Sequence, residues 1–252
     1  MRHFFSKKHF LKDLLEDFVD IHNHILPGID DGAKNLKESI DLIKKLKELG
    51  VKQFIPTPHI IQDFYPNTDE TIGSAYESLL GSLTQKLQNG ITINPAAEYM
   101  LDTTFETLLE EGNLFTLKGN HVLIEMSYFQ PPINLEQLIF KIKTKGYTPV
   151  LAHPERYAFY HNNLDYYNKL KQLGCFFQLN LLSLSNYYGK NVETTANYLI
   201  DKKLIDFVGT DTHNAQHIEK LSNIVLGKKN VEKIAPVIKN TNTTFSVIQN
   251  PK

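Results

Sequence analysis

One cysteine in 252 residues, Cys175, leaves no internal disulfide framework, which fits a reducing compartment. Neither sign of charge dominates. With 27 Lys and Arg against 28 Asp and Glu, the formal net charge of -1 removes any global argument for nucleic acid or an acidic membrane as partner. No apolar run is long enough to span a bilayer, so no transmembrane segment is expected. The first residues mix Arg2, Lys7, Lys8 and Lys12 with Phe4, Phe5, Phe10, Leu11, Leu14 and Leu15, but lack the apolar core and small-residue cleavage site of a secretory signal. Residues 1–17 therefore read as an amphipathic extension that packs on its own domain, residues 18–252 as one domain, and the protein as cytoplasmic. No Gly-x-Gly-x-x-Gly turn and no P-loop is present, so the usual fingerprints of nucleotide-binding open sheets are missing. A cysteine-based phosphatase is excluded too, because the position six after Cys175 holds Leu181 where that chemistry needs an arginine.

What is present is an alternation. Short apolar strands are predicted at Phe18–Ile21, 51–57, 91–97, 122–124, 148–152, 175–179 and 205–210, separated by helical patterns such as Leu36, Ile40, Ile43 and Leu46. The first helix begins at a capping-box spacing, Asn35 to Glu38, and Gly50, Gly146 and Gly174 are placed to end helices. Strict alternation predicts a parallel sheet, and strands with little polar alternation predict that both faces are covered. The expected fold is α/β, a distorted (β/α)7 barrel, TIM-like but one strand short of the usual eight.

Six of the seven strands end in a side chain able to ligate a metal: His22 and His24, His59, Glu98, Glu125, His153, and Asp211 with His213; the remaining one ends at Asn180. In a parallel barrel these ends meet on one face, where active sites of such folds lie. His22 and His24 are two apart on an extended chain, so they converge on one point. Pro27 and Gly28 then turn the chain and bring Asp30 or Asp31 to the same place. Imidazoles and carboxylates without thiolates favour Mn, Fe or Zn, and the number of candidates exceeds what one ion needs. A cluster of two or three ions is expected, with Glu98 and Asp211 bridging. Such clusters activate water and clamp the oxygens of an in-line displacement at phosphorus. Arg156, just past His153, is placed to hold phosphate oxygens; a surface ion pair with Glu155 or Asp165 is the alternative. Phe64, Tyr65, Tyr99, Tyr128, Phe129, Tyr157, Tyr187 and Tyr188 are expected near the mouth.

Asp20 to Gly32, Thr57-Pro58-His59, Ala97-Glu98, Ile124-Glu125, His153-Pro154-Glu155-Arg156 and Gly209-Thr210-Asp211-Thr212-His213 together resemble the polymerase and histidinol phosphatase (PHP) family. Within it they are similar to the bacterial manganese-dependent protein tyrosine phosphatases of capsule and exopolysaccharide operons. The resemblance implies a trinuclear site, Mn2+ first, built from His22, His24, Asp31, His59, Glu98, Glu125, His153, Asp211 and His213, with Arg156, Asp31 and His59 acting in the reaction. It selects Asp31 over Asp30. It also implies a substrate, the phosphotyrosine tail of a membrane tyrosine autokinase that controls polysaccharide synthesis. Relatives often carry a second arginine after the final histidine, and Asn214 to Ile218 contains none, which throws more weight on Arg156, with His217 in support. Two other readings stay open: a different PHP hydrolase, either a histidinol phosphatase or a phosphodiesterase, and a metal-binding regulatory module without turnover.

Overall fold

The computed structural model describes residues 8–247. Its strands are β1 (His9–Phe10), β2 (Phe18–Asp20), β3 (Val51–Phe54), β4 (His59–Ile60), β5 (Thr92–Ile93), β6 (Glu98–Met100), β7 (His121–Glu125), β8 (Thr148–Ala152), β9 (Phe176–Asn180), β10 (Phe207–Gly209) and β11 (Val225–Leu226). The helices are α1 (Leu36–Glu48), α2 (Asp69–Ser82), α3 (Gln85–Gln88), α4 (Thr103–Glu111), α5 (Leu135–Thr144), α6 (Tyr166–Gln172), α7 (Lys190–Asp201), α8 (Ala215–Ser222) and α9 (Lys228–Phe245).

β2 to β10 pair only in parallel, in the orders β2-β3-β5 and β4-β6-β7-β8-β9-β10. These two sheets are arcs of one ring. β3 and β4 lie on one path, interrupted where Pro56 and Pro58 have no N–H to give, and β5 and β6 flank Pro95 in the same way. The ladder continues across the breaks: Ile55 and Thr57 donate to the carbonyls of Asp20 and Asn23, and Ala96 and Glu98 donate to those of Pro56 and Pro58. Asp211 N–H then reaches the His22 carbonyl at 2.7 Å and His24 N–H reaches that of Thr212 at 3.0 Å, joining the last path to the first. The seven expected strands form the expected distorted ring. A buried carboxylate locks the seam: Asp20 accepts the Thr210 N–H (2.9 Å) and hydroxyl (2.7 Å), while burial pushes its carboxyl up to about 6 against those bonds.

The period of two along each strand sorts the interior into layers. Ile55, Ala96, Leu123, Phe176 and Phe207 belong to the apolar layer inside the ring, with Phe245 from α9 as part of its floor. Two or four residues further along the same faces stand His59, Glu98, Glu125, Gln178 and Asp211. A much larger apolar shell fills the space between ring and helices.

Local expectations were met with some shifts. Asn35 caps α1 by accepting the Glu38 N–H, but the Glu38 carboxylate takes the N–H of Lys34, so the box closes one residue early. The helix expected from Thr68 to Leu87 divides into α2 and α3, because Leu83 turns extended (ψ 131°) with its side chain buried. In the N-terminal segment β1 pairs antiparallel with β11, and Leu11 and Leu15 are buried in the shell; Arg2, Phe4, Phe5 and Lys7 lie outside the described residues. Among the described residues no helix is long and apolar enough to cross a membrane.

Candidate metal centre

The eight residues expected at the strand ends, and Asp31 from the turn after Gly28, do meet. Their ligating atoms fall into overlapping groups: His22, His24 and Asp211; His22, Glu98 and His153; His59, Glu98 and Glu125; and His24, Asp31, His59 and His213. Within each group the atoms lie within 4.8 Å of one another. Glu98, fully buried, is the hub. One of its oxygens is 3.1 Å from His153 Nε2, and the other is 3.2 Å from His22 Nε2 and 3.1 Å from His59 Nδ1.

Two glycines permit this crowding. A Cβ on Gly32 would sit 2.1 Å from the His24 carbonyl, and one on Gly209 would sit 2.7 Å from His22 Cβ. His153 (φ 33°) and Asp211 (φ 50°) occupy left-handed backbone conformations, which non-glycine residues adopt at a cost. Both lie where a strand must turn its last side chain inward.

A further set of residues orients the imidazoles. Gln178 donates its amide N–H to the Leu179 carbonyl (2.7 Å), which leaves its oxygen to accept from His22 Nδ1 at 2.7 Å. Asp30 accepts from His24 Nδ1 at 2.8 Å and is itself held by the Gly32 N–H. With both Nδ1 atoms committed as donors, His22 and His24 turn their Nε2 atoms to one point, 3.3 Å apart. Asp31, by contrast, reaches into the cluster, with Oδ1 3.5 Å from His59 Nε2 and 3.3 Å from His213 Nε2. The two adjacent carboxylates thus have different neighbours. Gln178 was not anticipated; its signal was its place two residues after Phe176 on the inward face of β9. Gln178→Ala is expected to weaken divalent metal binding about 10- to 100-fold, read by competition with a chelating dye, while the fold is retained.

The electrostatics are those of a site built for cations. Burial opposes the charge on Glu98 and Asp211, yet the imidazoles around them hold both carboxyls well below the usual range. Asp31 is likewise drawn down to about 2, against burial, by His213 and His59. In return, His59, despite burial, is raised to about 9 by Glu125 and Glu98. Glu98, Glu125, Asp211 and Asp31 within one small volume are the counter-charge that divalent ions require, and the donor set is all imidazole and carboxylate.

Arg156 is not on the open surface. Its Nη1 donates to Asp211 Oδ2 at 2.8 Å, an oxygen that also accepts from Asn180 Nδ2 at 2.7 Å. The ion pair is therefore with Asp211, not Glu155 or Asp165. Glu155 is fully buried, accepts the Asn180 N–H at 3.0 Å, and burial pushes its carboxyl up to about 7. Of the aromatic residues expected at the mouth, Tyr65 stacks on His59, Tyr128 on His153, and Tyr187 meets His217 edge-on. Tyr99 and Tyr157 instead belong to the core, where their hydroxyls accept the N–H groups of Phe115 and Met126. His217 is buried, its Nδ1 accepting from the His213 N–H at 3.4 Å and lying 3.2 Å from the Asp211 carbonyl.

A parallel barrel with an imidazole–carboxylate cluster at the carboxyl ends of its strands is the plan of a metal-dependent hydrolase. The chain belongs to the family described as capsular polysaccharide synthesis, CpsB/CapC, whose sequence model matches residues 18–244. Tyrosine-protein phosphatase YwqE of Bacillus subtilis is 31% identical over 199 residues, 79% of this chain and 78% of the relative. Tyrosine-protein phosphatase CpsB of Streptococcus pneumoniae is 29% identical over 204 residues, 78% of this chain and 83% of the relative. A solved structure from work on these two proteins, described there as unique metal-dependent tyrosine phosphatases, superposes with a TM-score of 0.73 at 30% identity, covering 81% of this chain and 84% of the other. The lactonase Lmo2620 from Listeria monocytogenes shares the fold, with a TM-score of 0.54 at 13% identity.

Proposed function

We propose that this chain is a metal-dependent protein-tyrosine phosphatase of capsular polysaccharide synthesis, acting in the cytoplasm on the phosphotyrosine tail of a membrane tyrosine autokinase. The observation that carries the chemistry is the convergence of four ligand groups that overlap through His22, His24, His59 and Glu98, beside a guanidinium with one hydrogen bond among the described residues. His22, His24, Asp31, His59, Glu98, Glu125, His153, Asp211 and His213 would hold two or three divalent ions, Mn2+ fitting this hard donor set with Fe or Zn as substitutes. Such ions supply Lewis acidity, activating water and offsetting charge on the phosphate.

The side chains do the remaining work. Gln178 and Asp30 keep the protons of His22 and His24 on Nδ1, so it is Nε2 that would be free to hold an ion. Asp31 and His59 line the open edge of the cluster, half-exposed and slightly exposed, where a substrate enters. Arg156 pairs with phosphate oxygens as charge builds on them. A tyrosine phenolate leaves with a conjugate-acid pKa of about 10, so a strong general acid is not required. Purified, manganese-loaded protein is expected to hydrolyse p-nitrophenyl phosphate and a phosphotyrosine peptide. Failure on both would exclude the reading, and faster turnover of histidinol phosphate would move the chain to another PHP activity.

A further inference from the structure

The Arg156 guanidinium lies over two phenol rings. Its central carbon is 4.9 Å from the centroid of Tyr128 and 4.3 Å from that of Tyr188, inside the range of a cation–π contact with each. The rings are themselves placed. Tyr128 stacks on His153, with centroids 5.8 Å apart and planes 24° apart, and the Tyr188 hydroxyl accepts from Asn180 Nδ2 at 3.2 Å. That same amide nitrogen holds Asp211 Oδ2, the oxygen that accepts Arg156 Nη1. Arg156 is thus fixed at one nitrogen by a carboxylate and restrained by contact with two rings.

A long arginine side chain ordinarily surrenders much rotamer freedom when it binds an anion, and a phosphate needs the guanidinium plane in one orientation. Against two rings and a carboxylate much of that freedom is already lost. From Asn214 to Glu219, at the start of α8, the chain offers no arginine or lysine to share the task. We propose that Tyr128 and Tyr188 are positioning residues that preorganise Arg156 for phosphate through their ring faces. This rests on the phosphatase reading for its substrate, but it concerns phosphate affinity first.

The test compares Tyr128→Leu and Tyr188→Leu with Tyr128→Phe and Tyr188→Phe, each in the wild-type and Arg156→Ala backgrounds. Calorimetry on the manganese-loaded protein gives the Kd for inorganic phosphate, steady-state kinetics gives KM and kcat for p-nitrophenyl phosphate, and elemental analysis gives the metal content. Each leucine variant is expected to raise the phosphate Kd and KM, about tenfold at Tyr188 and about fivefold at the more exposed Tyr128, with metal content unchanged. The phenylalanine variants, which keep the ring, should stay within about twofold. With Arg156→Ala already in place, the leucine changes should add nothing, because their effect passes through the guanidinium. Leucine effects that multiply on top of Arg156→Ala, or phenylalanine variants as weak as leucine ones, would overturn the proposal. Absence of ester hydrolysis in the wild type would sink the phosphatase reading alone, since phosphate affinity still decides the clamp.

Discussion

Glu98→Gln is expected to lower kcat/KM by about 10³-fold or more while leaving the protein folded. The substitution keeps shape and volume but replaces two anionic oxygens with one neutral oxygen and an amide that repels cations. Glu98 is the residue whose carboxylate touches His22, His59 and His153 together, so losing its charge would leave ions held there without the anion that offsets their repulsion. Elemental analysis should show fewer ions per chain than in the wild type. Thermal melting of the metal-free protein should fall modestly at neutral pH, because the imidazoles that hold the Glu98 carboxyl well below the usual range lose the charge they pair with. Activity within about tenfold of wild type would mean that Glu98 is a packing residue and not a shared ligand.

Arg156→Ala should produce a different signature. The expected loss in kcat/KM is about 10²- to 10³-fold, the range found when one preorganised donor to a developing oxyanion is removed, and metal content should be retained. Asp211 keeps its bond from Asn180, so its carboxylate is not left without a donor. Arg156→Lys should recover part of the loss at most, since an ammonium neither forks onto two oxygens nor lies against Tyr128 and Tyr188 in the same way. Kinetics unchanged by Arg156→Ala would reduce the residue to an ion pair with Asp211. Loss of metal equal to that in Glu98→Gln would make it part of the cluster's scaffold instead.

Much of this architecture was legible in the chain, for reasons that can be named. Strand ends in a parallel ring share a face, so His59, Glu98, Glu125, His153 and Asp211 could be grouped without knowing which strands neighbour which. The division of labour between Asp30 and Asp31 could not be read that way. It depends on the turn at Gly28 and on Gly32 lying against the His24 carbonyl, which hands His24 Nδ1 to Asp30 and leaves Asp31 pointing inward. Gln178 carries no strand-end signal: the last residue of β9 is Asn180, whereas the inward face is set by parity with Phe176. The alternative expected for Arg156, an ion pair with Glu155 or Asp165, rests on its neighbours in sequence, but the ring brings Asp211 from the last strand path, 55 residues away. The C-terminal elements α8, β11 and α9 were left unread because no ligand motif follows His213. They nevertheless supply the pairing partner of β1 and, through Phe245, part of the floor of the barrel.

The central claim is that the rim of strand ends holds a cluster of divalent ions on which phosphate-ester hydrolysis depends. It is tested most directly by stripping the protein with a chelator, restoring Mn, Fe, Zn or Mg separately, and measuring bound ions per chain alongside hydrolysis of a phosphotyrosine peptide. More than one ion per chain at saturation is predicted, with no turnover in the stripped protein and the fullest recovery with manganese. Stripped protein as active as the restored enzyme, or saturation without any bound ion, would contradict it.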